Sequence, residues 1–164
     1  MSLDSSISSP TAAQIAPVLQ HILERAGISS TGNPVMLNFF RTDCPWCATF
    51  VPHLSEIYSR HDFKLKIDEI GVACGGNSRE MAEKFKREKL IVFPIITDEG
   101  GHLAPFFGVS RVPSIVVIGA SGQIERVYSG VTEQLSGILE HTLFAVANRQ
   151  EPPEYDMVGN GCAP

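Results

Sequence analysis

This chain encodes an α/β fold with a central mixed β-sheet flanked by helices, and three observations predict it. A continuous apolar run, Val35 to Phe40, reads as a strand buried on both faces. Strand-like and helix-like patterns then alternate as far as residue 97. Last come two alternating segments around Gly119 to Gly122 and a closing amphipathic helix, which puts antiparallel pairing at the end. The 164 residues, 43% of them apolar, suit one domain with an appendage and are enough to bury a core.

Taken in order, residues 1–15 form a Ser/Pro-rich leader expected to be flexible. Val18, Leu19, Ile22, Leu23 and Ala26 recur at helical spacing before Gly27, and Pro17 places the start of that helix near residue 16. A Gly32-Asn33-Pro34 turn releases the first strand, and a helix follows from Pro45 to about Arg60, kinked at Pro52. Phe63 to Val72 alternates and reads as the second strand. Asn77-Ser78-Arg79-Glu80 opens a helix to about Lys89 with a solvated charged face. Phe93 to Thr97 is a short strand, Asp98 to Gly101 a turn, and His102 to Phe107 a short helix. Ser114 to Ile118 and Gln123 to Tyr128 make a hairpin, and Thr132 caps a helix burying Leu135, Ile138, Leu139, Thr142, Leu143 and Val146. The domain thus spans 16–148, and 149–164, Pro/Gly-rich and aperiodic, reads as a flexible tail.

Thirteen basic and eighteen acidic residues leave a net charge of −5, without a Lys/Arg run, which argues against nucleic acid as the main partner. No apolar run approaches the roughly 18–20 residues that span a bilayer. The N-terminus lacks the basic start and apolar core of a signal peptide. Four cysteines are too few for a disulfide scaffold, so their placement matters more than their number.

Two of them stand in Cys44-Pro45-Trp46-Cys47, where the buried strand gives way to a helix. With Pro45 at the first helical position, Cys44 is the N-cap, its sulfur over free backbone N–H groups that favour a thiolate. The thiolate is the nucleophile of disulfide exchange. Cys47, one turn in, is expected to be shielded and to act as the resolving thiol. A zinc site would need a second ligand pair, which Cys74 and Cys162 do not supply, and c-type haem attachment would need His at position 48, which is Ala. An inert structural disulfide stays open as an alternative.

From about residue 33 to residue 146 the sequence resembles the thioredoxin-fold thiol–disulfide oxidoreductases of the TlpA/ResA-like branch. Asn38-Phe39-Phe40 before the CxxC, Pro52 five residues after it, and Phe93-Pro94-Ile95-Ile96-Thr97-Asp98 carry the resemblance. So do Phe107-Gly108-Val109-Ser110-Arg111-Val112-Pro113-Ser114 and the Gly122 to Gly130 segment. It implies a thioredoxin fold with an extra N-terminal helix and an inserted helix at 78–89. It also implies that Pro113 is a cis-proline facing the CxxC and that Val112 offers backbone groups to an extended substrate. Trp46, inside the motif, is read as exposed by the sulfur where partners can touch it, or else as packed against the first-helix region.

Where the sequence departs from the branch, proton handling changes. Asp43 replaces the usual Trp and is expected to raise the Cys44 pKa. Asn38 stands where thioredoxins carry a buried Asp, and Phe50 where ResA-like members carry a Glu, leaving Asp43, Glu69 or water as stand-ins. Cys74 reads as a small buried residue or a second redox thiol, and Cys162 lies in the tail. His21, His53, His61, His102 and His141 show no ligand spacing.

The expected function is a protein thiol–disulfide oxidoreductase cycling through Cys44 and Cys47, reducing partner disulfides without metal or organic cofactor. The alternatives are an oxidant or isomerase of the same fold, or a non-catalytic binding module. The resemblance implies protein disulfide or dithiol partners such as an apocytochrome c, a membrane thiol electron donor, a monomer, and a place in the bacterial periplasm or on the outer face. A targeting segment outside this chain would then be required, and a cytoplasmic place stays open.

Overall fold

The computed structural model describes residues 9–29, 31–60, 62–154 and 158–164; residues 1–8 of the leader expected at 1–15 and His61 lie outside them, and residues 12–15 of that leader are helical. Helix α1 (Ala12–Arg25) starts four residues earlier than the proline suggests. Thr11 accepts from the Gln14 backbone while the Gln14 side chain accepts from Thr11, a reciprocal cap that outweighs the missing N–H of Pro17 inside the helix. Ile15 and Ile22 are its buried positions.

Strand β1 (Val35–Phe40) is buried along its whole length. Helix α2 (Pro45–Arg60) follows with the bounds the sequence predicts. The second strand differs. Asp62–Leu65 is a 3₁₀ turn and β2 runs only over Asp68–Ala73. Lys66 and Ile67 both hydrogen-bond back to the Phe63 carbonyl, so local turn bonds take the backbone that the alternation assigned to a ladder. Helix α3 (Arg79–Lys89) is capped by the Ser78 hydroxyl and ends on Leu90 in the left-handed region. Strand β3 (Ile95–Thr97), the short α4 (Leu103–Phe106), β4 (Ser114–Ile118), β5 (Ile124–Ser129) and α5 (Glu133–Ala147) complete the order.

The sheet order is β3-β2-β1-β4-β5. β1 and β2, and β2 and β3, pair in parallel, whereas β4 pairs antiparallel with both β1 and β5. This is the mixed sheet the sequence predicts, with the first strand central and the cysteine motif at its C-terminal end. Leu135, Leu139, Leu143 and Val146 of α5 join the core, and α5 packs against α2. The tail does not hang free: Asn160 and Cys162 form isolated antiparallel bridges with Val131 and Val112. These contacts are made by backbone and glycine, which hydrophobic periodicity does not register.

Candidate active site

The site lies where β1 ends. Strand burial fixes Phe40, and four residues later the chain enters α2 with Cys44 as its N-cap: the Ala48 N–H donates to the Cys44 carbonyl at 3.0 Å, the first bond of the helix. Cys47 is therefore the third helical residue. It is fully buried, with the Arg41 backbone N–H donating to its Sγ at 3.5 Å. Burial pushes its thiol up to about 11, against the opposing pull of that N–H and of the Arg41 guanidinium. Cys74, at the end of β2, is likewise buried and pushed up to about 12. This fits the small buried residue rather than a ready thiolate.

Asp43 has a partner that the sequence reading does not include. Arg41 clasps its carboxylate through two bonds, Nε to Oδ1 at 2.9 Å and Nη2 to Oδ2 at 2.8 Å, and holds its pKa below the ordinary value. The acidic neighbour of Cys44 thus arrives with its counter-charge. Of the proposed proton-handling stand-ins, only Asp43 acts electrostatically on Cys47. Glu69 and Asn38 are buried on one face of the sheet, Glu69 opposite Met36 and Asn38 opposite Gly71. Neither side chain has a hydrogen-bond partner among the described residues. Burial pushes the Glu69 carboxyl well above the usual range.

The Val112–Pro113 peptide is cis, as the resemblance implies. The Val112 carbonyl oxygen lies 3.9 Å from the Cys44 Sγ, so the segment does face the motif. Trp46 is exposed and borders a groove of about 600 Å³ with Phe50, Pro52, His53, Glu56 and Val131.

Sequence reasoning missed what occupies the Val112 edge. Cys44 is joined by a disulfide to Cys162, with the two Cα atoms 6.2 Å apart, and Cys47 carries a free thiol. Cys44 is only 2% exposed. The signal for this lay in Gly159-Asn160-Gly161-Cys162, where two small residues flank the approach of a cysteine. Read by composition, that run is only a tail. His21, His53, His102 and His141 belong to no cluster of three or more metal-ligand side chains among the described residues.

Comparison with known proteins agrees with the fold. Over 106 residues the chain is 32% identical to the thiol-disulfide oxidoreductase ResA of Halalkalibacterium halodurans, covering 63% of this chain and 58% of that one. Sporulation thiol-disulfide oxidoreductase A of Bacillus subtilis is 24% identical over 115 residues, 68% of this chain and 70% of that one. The chain therefore spans between about half and 70% of the length of these relatives. Among solved structures, a thioredoxin family thiol:disulfide interchange protein from Chlorobium tepidum superposes with a TM-score of 0.60 at 19% identity, over 71% of this chain and 81% of that one. A hypothetical protein from Sinorhizobium meliloti reaches 0.70 at 11% identity, over 88% and 82%. These likenesses establish a thioredoxin fold. The AhpC/TSA family model matches residues 23–127, which takes in the whole of β1, the CxxC, the cis-proline and most of the hairpin, and the chain belongs to that family.

Proposed function

We propose that the protein is a thiol–disulfide oxidoreductase that works through a Cys44/Cys47 dithiol–disulfide cycle and reduces disulfides of partner proteins. The observation that carries this is the asymmetry of the two sulfurs: Cys44 caps α2 beside Val112, while Cys47 sits one turn deeper, buried and protonated. Cys44 as thiolate attacks a partner's disulfide and forms a mixed disulfide as the partner's other sulfur leaves. Cys47 then attacks Cys44, releasing the partner's second thiol and leaving the Cys44–Cys47 disulfide. Val112 supplies backbone hydrogen bonds to the partner segment, Pro113 withholds an N–H beside the sulfur, and Trp46 offers an apolar surface at the rim.

The names of the relatives support the reading. A peroxidase is disfavoured although the family name admits one, because Leu37 and Arg41 stand where a Pro-x-x-x-Thr/Ser-x-x-Cys context would need Pro and Thr or Ser. A place outside the cytoplasm is supported by a structural neighbour described as a secreted Mycobacterium tuberculosis disulfide oxidoreductase. Protein disulfides are the proposed substrates, an apocytochrome c among them, with a membrane thiol as electron donor and the protein acting as a monomer.

Reduction of insulin disulfides by dithiothreitol, followed by turbidity, tests the proposal. The wild-type chain should accelerate precipitation and Cys44→Ser should not. Equal rates with and without the wild-type chain would leave a binding module.

A further inference from the structure

The segment 158–164 meets the Cys44 edge as a bound peptide would. Cys162 and Val112 exchange backbone hydrogen bonds in both directions, each 2.8 Å. Asn160 and Val131 do the same at 2.8 Å, and the Gly159 N–H donates to the Ser129 carbonyl at 2.8 Å. Two arginines hold the segment from its sides: Arg111 Nη1 donates to the Gly159 carbonyl at 2.7 Å and Arg41 Nη1 to that of Ala163 at 3.3 Å. The tail thus pairs by isolated antiparallel bridges with the segment before β4 and the segment after β5, as a docked peptide does, the main chain supplying affinity and one side chain reaching the reacting atom.

The residues of the segment suit that approach. A Cβ on Gly161 would overlap the Val112 carbonyl oxygen, and one on Gly159 the Val131 backbone. Gly130, at φ 74°, would put a Cβ into the Gly159 carbonyl. Glycine is thus required on both sides of the contact, and the cysteine falls in register with the N-cap thiol. A permanent brace is a poor account of the bond, because it consumes the activated sulfur and strands a free Cys47 one turn away.

We propose that Cys162 is a third redox cysteine, carried on a tethered substrate segment that docks at Val112 and exchanges its sulfur with the Cys44/Cys47 pair. This rests on the oxidoreductase reading of that pair. Cys47, after giving its proton to solvent, attacks the Cys44 Sγ. The Cys44–Cys47 bond forms as the Cys44–Cys162 bond breaks, and the electron pair of the broken bond leaves on Cys162, which takes up a proton. Nothing is oxidised or reduced overall, so no co-reactant is needed, and the reverse step docks the tail. A short tether gives Cys162 an effective concentration on the order of millimolar at Cys44. An external disulfide or dithiol must therefore displace it.

The test uses the oxidised full chain under native conditions with N-ethylmaleimide, reading labelled sites by peptide mass mapping. Cys162 of the wild type should be labelled as exchange frees it, leaving Cys44–Cys47 as the disulfide. In Cys47→Ser the Cys44–Cys162 bond has no internal attacker, and Cys162 labelling should fall at least about ten-fold. Gly161→Val in the otherwise wild-type chain should shift the exchange toward Cys44–Cys47 and raise Cys162 labelling about ten-fold, equivalent to ~1.4 kcal/mol of lost docking. Added to Cys47→Ser it should leave Cys162 unlabelled, because lost docking does not cleave a disulfide without an attacking thiol. Labelling of Cys162 at one rate in wild type and Cys47→Ser, resistance to labelling in both, or linkage of Cys162 to a second chain would each overturn the proposal. Insulin reduction by the same wild-type sample is scored separately. Its absence with exchange intact removes the proposed function and leaves the exchange standing.

Discussion

Val112 and Cys162 form a two-way backbone pair at 2.8 Å while the Val112 carbonyl oxygen stands 3.9 Å from the Cys44 sulfur. The residue proposed to receive substrate backbone and the sulfur proposed to receive substrate sulfur are thus engaged by one internal segment. Partner capture must be planned with that in view.

Cys47→Ser, the usual device for trapping mixed disulfides, should here trap Cys162 instead. The double variant Cys47→Ser/Cys162→Ser should accumulate mixed disulfides with a peptide disulfide substrate, at least about ten-fold above the single variant given the millimolar competition of a tethered thiol. Non-reducing mass measurement reads the adduct directly, and equal trapping by both variants would count against tail docking.

Arg41→Ala should expose the Asp43 carboxylate without its counter-charge. In a Cys162→Ser background, where Cys44 is free, the pH profile of Cys44 alkylation should then move upward, by less than about one unit because the pair is solvent-exposed. Adding Asp43→Asn should move it back. A profile that ignores Arg41 would show that the pair does not act on the sulfur.

Glu69 gives a stability prediction with a definite sign. Its carboxyl is pushed up in the folded state by burial, so the native chain holds its proton more tightly than the unfolded chain. Stability from this group is fully present below the unfolded carboxylate value of roughly 4.3 and is lost as pH rises toward the folded value. Glu69→Gln should therefore raise Tm relative to wild type at pH 7 and give a smaller gain at pH 4. A gain that does not grow with pH would contradict protonated burial.

Leu139→Ala on α5 removes a fully buried side chain of the core. The expected cost is roughly 2–5 kcal/mol, measured by denaturant unfolding. Insulin reduction per folded molecule should be retained, because Leu139 takes no part in the Cys44/Cys47 exchange.

The balance of Cys44 acidity sets the direction of electron flow. An N-cap thiol with no His or Lys inside the motif should be moderately acidic, and the Cys44/Cys47 couple of Cys162→Ser should equilibrate with glutathione at roughly −200 to −270 mV. A potential above about −150 mV would make the protein an oxidant.

The fold was legible because its signals were local and repeated. Val35 to Phe40 is buried at every position, α2 has the predicted bounds, and Thr132 caps α5 through its hydroxyl on the Leu135 N–H. The motif Cys44/Cys47 was legible for the same reason. What failed were competitions between local signals. Thr11 and Gln14 outweigh Pro17, and turn bonds to Phe63 outweigh an alternating pattern. The docking of Cys162 was illegible in another way: it joins residues 118 apart through glycine and backbone, groups that carry no hydrophobic period. The Arg41–Asp43 clasp is a side-chain choice that no spacing announces.

The docked tail also decides what an oxidant can reach. Cys44 is in a disulfide, and Cys47 and Cys74 are buried and held protonated well above neutral pH. Peroxide attacks thiolates, first to the sulfenic acid and then irreversibly to the sulfinic and sulfonic acids. With the tail in place no sulfur of the four offers it an exposed thiolate, so the chain rests in a state from which its nucleophile is recoverable by reduction. A tail-free variant would meet the same peroxide with Cys44 uncovered.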